Sequence, residues 1–144
     1  MGGERVKNHM PDNMKMRTTS FERDAQSEQA ELFLALRDYI KICIGNGARE
    51  KHRENITSFF SPEGGFCSIR VKDGAVLVGW FRGHFIDDRF GLLYGKGKTL
   101  RTQKVVTLDR ATRDAIRHYV QETLVYLLEH QAMMQLKGSL KKSV

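Results

Sequence analysis

Residues 66–81, "FCSIRVKDGAVLVGWF", decide the fold, because they contain two strand patterns and a turn signal between them. Successive side chains of the first half alternate between two sides of a strand, Phe66, Ser68 and Arg70 on one and Cys67, Ile69 and Val71 on the other. Asp73-Gly74 favours a type I′ turn, whose two central residues both need positive φ. "AVLVGWF" is the returning strand, in which Gly79 indicates a bulge or a close backbone approach. The stretch therefore predicts an antiparallel hairpin.

Further elements flank this hairpin on both sides. "NITSFF" and "TQKVVTL" are further strand candidates. Apolar residues at helical spacing predict a first helix from about Ser20 or Asp24 to Ile44, ended by "GNG", and a last helix from about Asp109 to Leu136. The order helix, four to six strands, helix predicts an α+β two-layer sandwich, with an antiparallel sheet flanked by N- and C-terminal helices. Residues 1–20 are expected to be a flexible extension, 21–136 a single domain and 137–144 a basic tail.

Length and composition limit the class of protein. The chain has 144 residues and a net charge of +7, which fits one domain and an anionic partner. No run reaches the roughly 18 apolar residues of a membrane span, and the N-terminus lacks a secretory signal pattern. We expect a cytoplasmic protein with no membrane association. Cys43 and Cys67 lie on different predicted elements without a CxxC motif, which favours two reduced thiols over a zinc site.

The stretch "GLLYGKGKTLR", residues 91–101, resembles a phosphate-binding loop but does not meet its requirements. The Walker A pattern G-x-x-x-x-G-K-[ST] would need glycine where Leu92 stands, and a true P-loop opens a helix rather than a strand. A simpler anion site remains possible, made by the backbone of the glycines and by nearby cations: Gly95, Lys96, Gly97, Lys98 and Arg101. The alternative is a glycine-shaped turn with solvated lysines and a structural arginine.

Four acidic residues of the predicted first helix, Asp24, Glu28, Glu31 and Asp38, fall within roughly 80° of one another at about 100° per residue. Such a ridge offers oxygen ligands to hard cations, with low selectivity because it contains no His or Cys. The alternative is the ordinary solvated face of an amphipathic helix.

Trp80, Arg82 and His84 share one face if the strand period of two continues through them. An open face carrying this aromatic ring, guanidinium and imidazole would suit a small ligand or a protein contact, including a homodimer. The alternative places Trp80 in the core and leaves the other two solvated.

Residues 78–105, "VGWFRGHFIDDRFGLLYGKGKTLRTQKV", resemble the YdhG-like bacterial family of unknown function. The similarity in order and spacing covers roughly residues 33–128. One departure is "ITSFFSPEGGF", which has Phe59 or Phe60 where the family commonly has Trp. The resemblance implies a frataxin-like α+β sandwich, and one bacterial relative is regarded as a frataxin-type iron chaperone.

No residue set in the sequence has the spacing of a catalytic motif: the five histidines are scattered and there is no HExxH. The sequence therefore favours a non-catalytic binding module for a small anionic ligand or a protein partner, without a cofactor. The alternative is an intracellular iron chaperone that uses the acidic first helix. An enzyme ranks third and a nucleic-acid binder fourth.

Overall fold

The computed structural model describes residues 19–143 and has the predicted α+β architecture. Two N-terminal helices precede five strands, and a long helix follows them. The elements are α1 (Ser20–Ala25), α2 (Ala30–Ile44), β1 (Arg49–His52), β2 (Thr57–Ser61), β3 (Gly64–Lys72), β4 (Ala75–Trp80), β5 (Arg101–Val105) and α3 (Arg110–Ser143). The predicted N-terminal extension lies, up to residue 18, outside the described residues.

The five strands form one antiparallel sheet in the order β1-β2-β3-β4-β5. The β3–β4 hairpin is the predicted one: Lys72 pairs with Ala75, and the two turn residues, Asp73 and Gly74, have φ values of 50° and 77°. Positive φ at both positions is the geometry of the type I′ turn. The register of the hairpin fixes which side chains of β3 and β4 share a face.

The core lies between one face of the sheet and the helices α2 and α3. Trp80 is fully buried there, with its ring edge-on to Tyr119 at 5.6 Å between centroids. The indole Nε1–H of Trp80 donates to Oε1 of the buried Gln103, 3.0 Å away. Phe33 of α2 and Phe59 of β2 are equally buried and belong to the same cluster. Among residues 19–143 no helix packs on the opposite face of the sheet, and this face is called the open face below.

The predicted first helix is two helices, because the chain turns at residues 26–29. α1 begins with a capping box, in which the Thr19 hydroxyl accepts from the Glu22 backbone N–H and the Glu22 carboxylate accepts from the Thr19 N–H. After α1 the Ser27 hydroxyl donates to the carbonyl of Asp24 at 2.7 Å and accepts from the N–H of Gln29 at 3.2 Å. These side-chain bonds replace helical backbone bonds and explain the break.

The last helix is longer than predicted, since α3 continues through residues 137–143. The expected basic tail is therefore mostly helix. Gly138 lies inside α3 and weakens it without ending it, because the leucines and lysines around it are good helix formers. Within residues 19–143, no helix is long and apolar enough to cross a bilayer.

The edge strand β1 is short and charged, and an ion-pair cluster joins it to α2. Glu50 of β1 accepts from Arg37 Nε at 2.9 Å, from Lys41 Nζ at 2.7 Å and contacts His52 Nε2 at 2.7 Å. Burial alone would raise the pKa of Glu50, but the hydrogen bonds from Arg37, Lys41 and His52 outweigh it and lower the pKa to about 2. Glu50 is therefore the charged link between the sheet edge and the helical layer.

Candidate binding groove on the open sheet face

The loop between β4 and β5, residues 81–100, is fixed to α3 by Asp88. One carboxylate oxygen of Asp88 accepts from the Tyr119 hydroxyl at 2.5 Å and from the backbone N–H of Leu92 at 3.1 Å. The other oxygen accepts from the N–H of Leu93 at 3.2 Å. Burial raises the pKa of Tyr119, and the adjacent Asp88 raises it further. Asp88 thus orders the start of the glycine stretch.

Arg101 closes the end of the same loop onto the protein's own backbone. Its Nη1 donates to the carbonyls of Gly97 at 2.6 Å and Leu100 at 2.8 Å, and its Nη2 lies 3.0 Å from His84 Nδ1. A Cβ on Gly83 would lie 2.5 Å from the Cβ of Arg101, so only glycine admits this contact. The guanidinium that the sequence offered for anion binding is bonded to its own turn.

The other members of the predicted anion site lie on the outer surface of this loop. Lys96 and Lys98 are exposed and form no ion pair or hydrogen bond within the described part of the chain. Gly95 has φ 131°, a conformation that favours glycine. The loop then meets the outer edge of β5, where the backbones of Tyr94 and Thr102 bond to each other at 2.7 and 2.9 Å.

The predicted face of Trp80, Arg82 and His84 does not form. β4 ends at Trp80, which points into the core, and the next residues turn. The strand period of two therefore does not extend past Trp80, which is why the prediction fails. The Cζ of Arg82 lies 5.7 Å from the ring centre of Tyr126 on α3, and His84 is exposed beside Arg101.

The predicted acidic ridge is also wrong as a single face, because the helix that would carry it is broken. Asp24 ends up 7% exposed on α1, accepts from the Ser20 hydroxyl at 3.1 Å, and has its pKa raised by burial. Glu28 lies in the turn, Glu31 is on α2, and Asp38 pairs with Arg37 at 3.2 Å. Among residues 19–143 no group of three His, Cys, Asp or Glu side chains is placed to hold a metal ion.

A groove of about 460 Å³ runs across the face of the sheet that the helices leave open. Its floor is a row of small residues on three neighbouring strands, because Ser68 pairs with Gly79 and Gly79 pairs with Thr102. A Cβ on Gly79 would lie 3.1 Å from Ser68 Oγ and 3.4 Å from Leu100 Cδ1. Gly79 therefore allows the close approach expected from the sequence and keeps the floor low.

The walls of the groove are mostly apolar and come from separate segments, with the polar Asn55 beside them. The apolar wall residues are Ile56 before β2, Leu77 of β4, and Phe81 and Leu100 at the two ends of the 81–100 loop. The loop that resembled a phosphate-binding motif thus contributes a wall side chain to the groove. Apolar walls above a hydroxyl-bearing floor are typical of small-ligand sites.

Positive charge lies at one end of the groove. A second row of residues crosses the same three strands next to the floor and consists of Arg70, Leu77 and Lys104. These residues are neighbours because Leu77 of β4 pairs with Arg70 of β3 and with Lys104 of β5. Arg70 lines the groove, is exposed, and makes no hydrogen bond or ion pair within the described residues, although its charge interacts electrostatically with the carboxylate of Asp24. Lys104 and Lys72 line an adjoining hollow around Leu77, together with one acidic residue, Asp73. An anionic group entering the groove would meet an available guanidinium.

The groove could not be predicted from the sequence because its lining residues are distant along the chain. The alternation in "FCSIRV" already placed Ser68 and Arg70 on one face, and "TQK" placed Thr102 and Lys104 in the same phase. The sequence does not reveal the register between β4 and β5, because a 20-residue loop separates the two strands. No family model matches this chain, and neither a curated protein nor a solved structure matches it.

Proposed function

We propose that this chain is a non-catalytic binding module that takes a small anionic ligand with an apolar body into the open-face groove. The observation that carries the proposal is the position of Arg70 at the rim of an apolar groove with a hydroxyl floor. A guanidinium binds a carboxylate or phosphate through two parallel hydrogen bonds. Arg70 donates to no protein acceptor within residues 19–143, and the protein group that interacts with its charge is the carboxylate of Asp24.

The size of the groove supports a small organic anion. Its volume of about 460 Å³ lies within the range of roughly 300 to 1,000 Å³ usual for small-molecule sites. In this arrangement the ligand's apolar body contacts Leu77, Phe81 and Leu100, while its anionic group reaches Arg70. The hydroxyls of Ser68 and Thr102 supply further hydrogen bonds from the floor.

We also propose membership of the YdhG-like family and a cytoplasmic location. The family proposal rests on the quoted motif at residues 78–105 and on the element order of helix, hairpins, glycine-containing loop, strand and helix. The location proposal is supported by two unpaired cysteines, Cys43 and Cys67. An anion site at Lys96 and Lys98 stays a prediction. The test of the groove below compares the two sites by substituting one cation in each.

The test uses two fluorescent probes of similar shape and different charge. 8-Anilinonaphthalene-1-sulfonate carries an anionic group on an aromatic body, and N-phenyl-1-naphthylamine has the same body without the sulfonate. We expect the folded protein to bind the sulfonate more tightly in calorimetric titration. Arg70→Gln should weaken sulfonate binding about tenfold, the loss of roughly one charge-assisted hydrogen bond, and leave the neutral probe unchanged.

Lys98→Ala is the matched control, since it removes a cation from the exposed loop and leaves the groove intact. If Lys98→Ala weakens sulfonate binding and Arg70→Gln does not, the anion site lies on the loop. If neither probe binds the wild-type protein, the groove is not a site for aromatic anions and the proposal fails.

A further inference from the structure

The second half of α3 extends beyond the core. The side chains with which α3 covers the sheet end at Leu127, which is 4% exposed and follows Ile116, Tyr119 and Thr123 on the same side of the helix. From Leu128 to Lys141 every side chain is exposed, except at the half-buried Gly138. A helix exposed on all sides gains no stability from tertiary packing, although most helices in proteins depend on it.

An apolar stripe runs along this half of α3 on the side opposite to Leu127. At about 100° per residue its members span roughly 120° of the helix surface. The larger side chains of the stripe are between 46% and 59% exposed. We call it the outer stripe, and its apolar members are Val125, Leu128, Ala132, Leu136 and Leu140. The same arc also contains two polar residues, Glu129 and Ser139.

The outer stripe is spaced almost symmetrically about Ala132. Leu128 precedes Ala132 by four residues and Leu136 follows it by four, while Val125 and Leu140 lie seven before and eight after. Two such helices packed antiparallel therefore place Leu128 of each copy against Leu136 of the other, with the small Ala132 at the point of closest approach. This self-complementarity is what a two-fold symmetric interface requires.

The charges beside the outer stripe favour the same arrangement. Glu129 lies within the arc of the outer stripe, between Leu136 and Leu140, and Lys137 lies on the flank next to it. They are three residues before and five residues after Ala132. Neither forms an ion pair within the described residues, and neither has an opposite charge three or four positions away on the helix. In an antiparallel pair this flank meets its own copy, so Glu129 faces Lys137 twice. In a parallel pair it would meet Gln131 and Gln135 instead.

From this spacing of apolar and charged residues we infer that a second copy of this chain covers the outer stripe through antiparallel packing of the two α3 helices. The partner helix would give the exposed half of α3 the packing that residues 19–143 do not provide. The interface is small, so we expect a dissociation constant on the order of 10 µM, at the weak end for specific protein contacts. The dimer is independent of the groove and does not rest on the function proposed for it.

Sedimentation equilibrium over about 1 to 300 µM, a range that brackets this constant, tests the inference. We expect a monomer–dimer equilibrium for the wild type. Leu136→Glu should weaken it by about 100-fold, because each dimer gains two buried carboxylates. Met134→Glu is the matched control, since Met134 is exposed on the opposite side of the same helix. Far-ultraviolet circular dichroism checks that both variants keep their helix.

Charge reversal distinguishes the antiparallel dimer from non-specific association. Glu129→Lys and Lys137→Glu should each weaken the dimer by about tenfold, because each creates two like-charge contacts across the interface. The double variant should restore wild-type affinity. A wild type that stays monomeric at the highest concentration overturns the inference, as does a dimer that Leu136→Glu leaves intact or that Met134→Glu disrupts equally.

Discussion

Replacing Glu50 by glutamine removes the charge that joins the edge strand β1 to α2. The glutamine keeps the size of the side chain and loses the ion pairs with Arg37 and Lys41, whose nitrogens lie 2.7 Å from Glu50 Oε1. We expect Glu50→Gln to lower the free energy of unfolding at pH 7 and to affect β1 first, because β1 is bonded to the sheet on one side only.

The size of this effect follows from the pKa of Glu50. Its value falls from 4.5 to about 2, which would correspond to about 3.4 kcal/mol at 1.36 kcal/mol per pKa unit. The partners are partly exposed, with 27% of the Arg37 side chain and 34% of that of Lys41 accessible. Solvent screening of these pairs reduces the expected loss to about 1–2 kcal/mol.

The effect depends on pH in a defined direction. A carboxylate whose pKa is lowered on folding stabilises the native state above its unfolded pKa of 4.5, and this contribution is lost as pH falls toward about 2. Less than half should remain at pH 3. The difference between wild type and Glu50→Gln should therefore shrink from pH 7 to pH 3.

Urea unfolding at both pH values, followed by circular dichroism, measures this difference. Glu31→Gln is the control, because Glu31 is exposed on α2 and forms no ion pair within residues 19–143. A loss of stability equal in the two variants, or one that is the same at pH 3 and pH 7, would refute the reasoning.

Two further substitutions test the core and the loop. Gln103→Leu should lower the free energy of unfolding in urea by about 1–3 kcal/mol, because it leaves the buried Nε1–H of Trp80 without its acceptor. The same substitution should lower it by less in a Trp80→Phe background. An equal loss in that background would contradict this cause. Arg101→Ala should weaken both naphthalene probes, since it releases the loop that positions Leu100, whereas Arg70→Gln should weaken only the anionic probe. Arg101 would instead be a direct anion contact if its removal affected the sulfonate alone.

The sheet could be predicted from the sequence because its signals are local. Asp73-Gly74 specifies its turn through the conformations of two adjacent residues, and alternation on either side fixes the hairpin register. The break between α1 and α2 could not be predicted in this way. Residues 26–29 are all polar but include no glycine or proline that would mark a helix end, and the hydrogen bonds of the Ser27 hydroxyl at this turn are not revealed by helix periodicity.

The site was harder to predict than the fold because it depends on contacts between distant segments. Tryptophan is a common ligand contact, but Trp80 lies in the core, where Gln103 accepts the hydrogen bond of its indole N–H. Arg70 resembles any solvated strand residue until Leu77 and Lys104 are known to lie beside it. Burial and register, which determine both outcomes, are properties of the folded sheet.

The glycine-containing loop has the composition of an anion site, yet it lines the groove through an apolar side chain, Leu100. Its Arg101 bonds to two carbonyls of its own turn, and Asp88 accepts two backbone N–H groups at its start. These bonds hold the loop along the outer edge of β5 and place Leu100 above Gly79 on the open face. A cation already bonded to its own backbone contributes less to anion binding than one without an acceptor, because binding the anion would first break those bonds. In the proposed binding function, the loop therefore shapes the groove, and the charge that selects a ligand is that of Arg70.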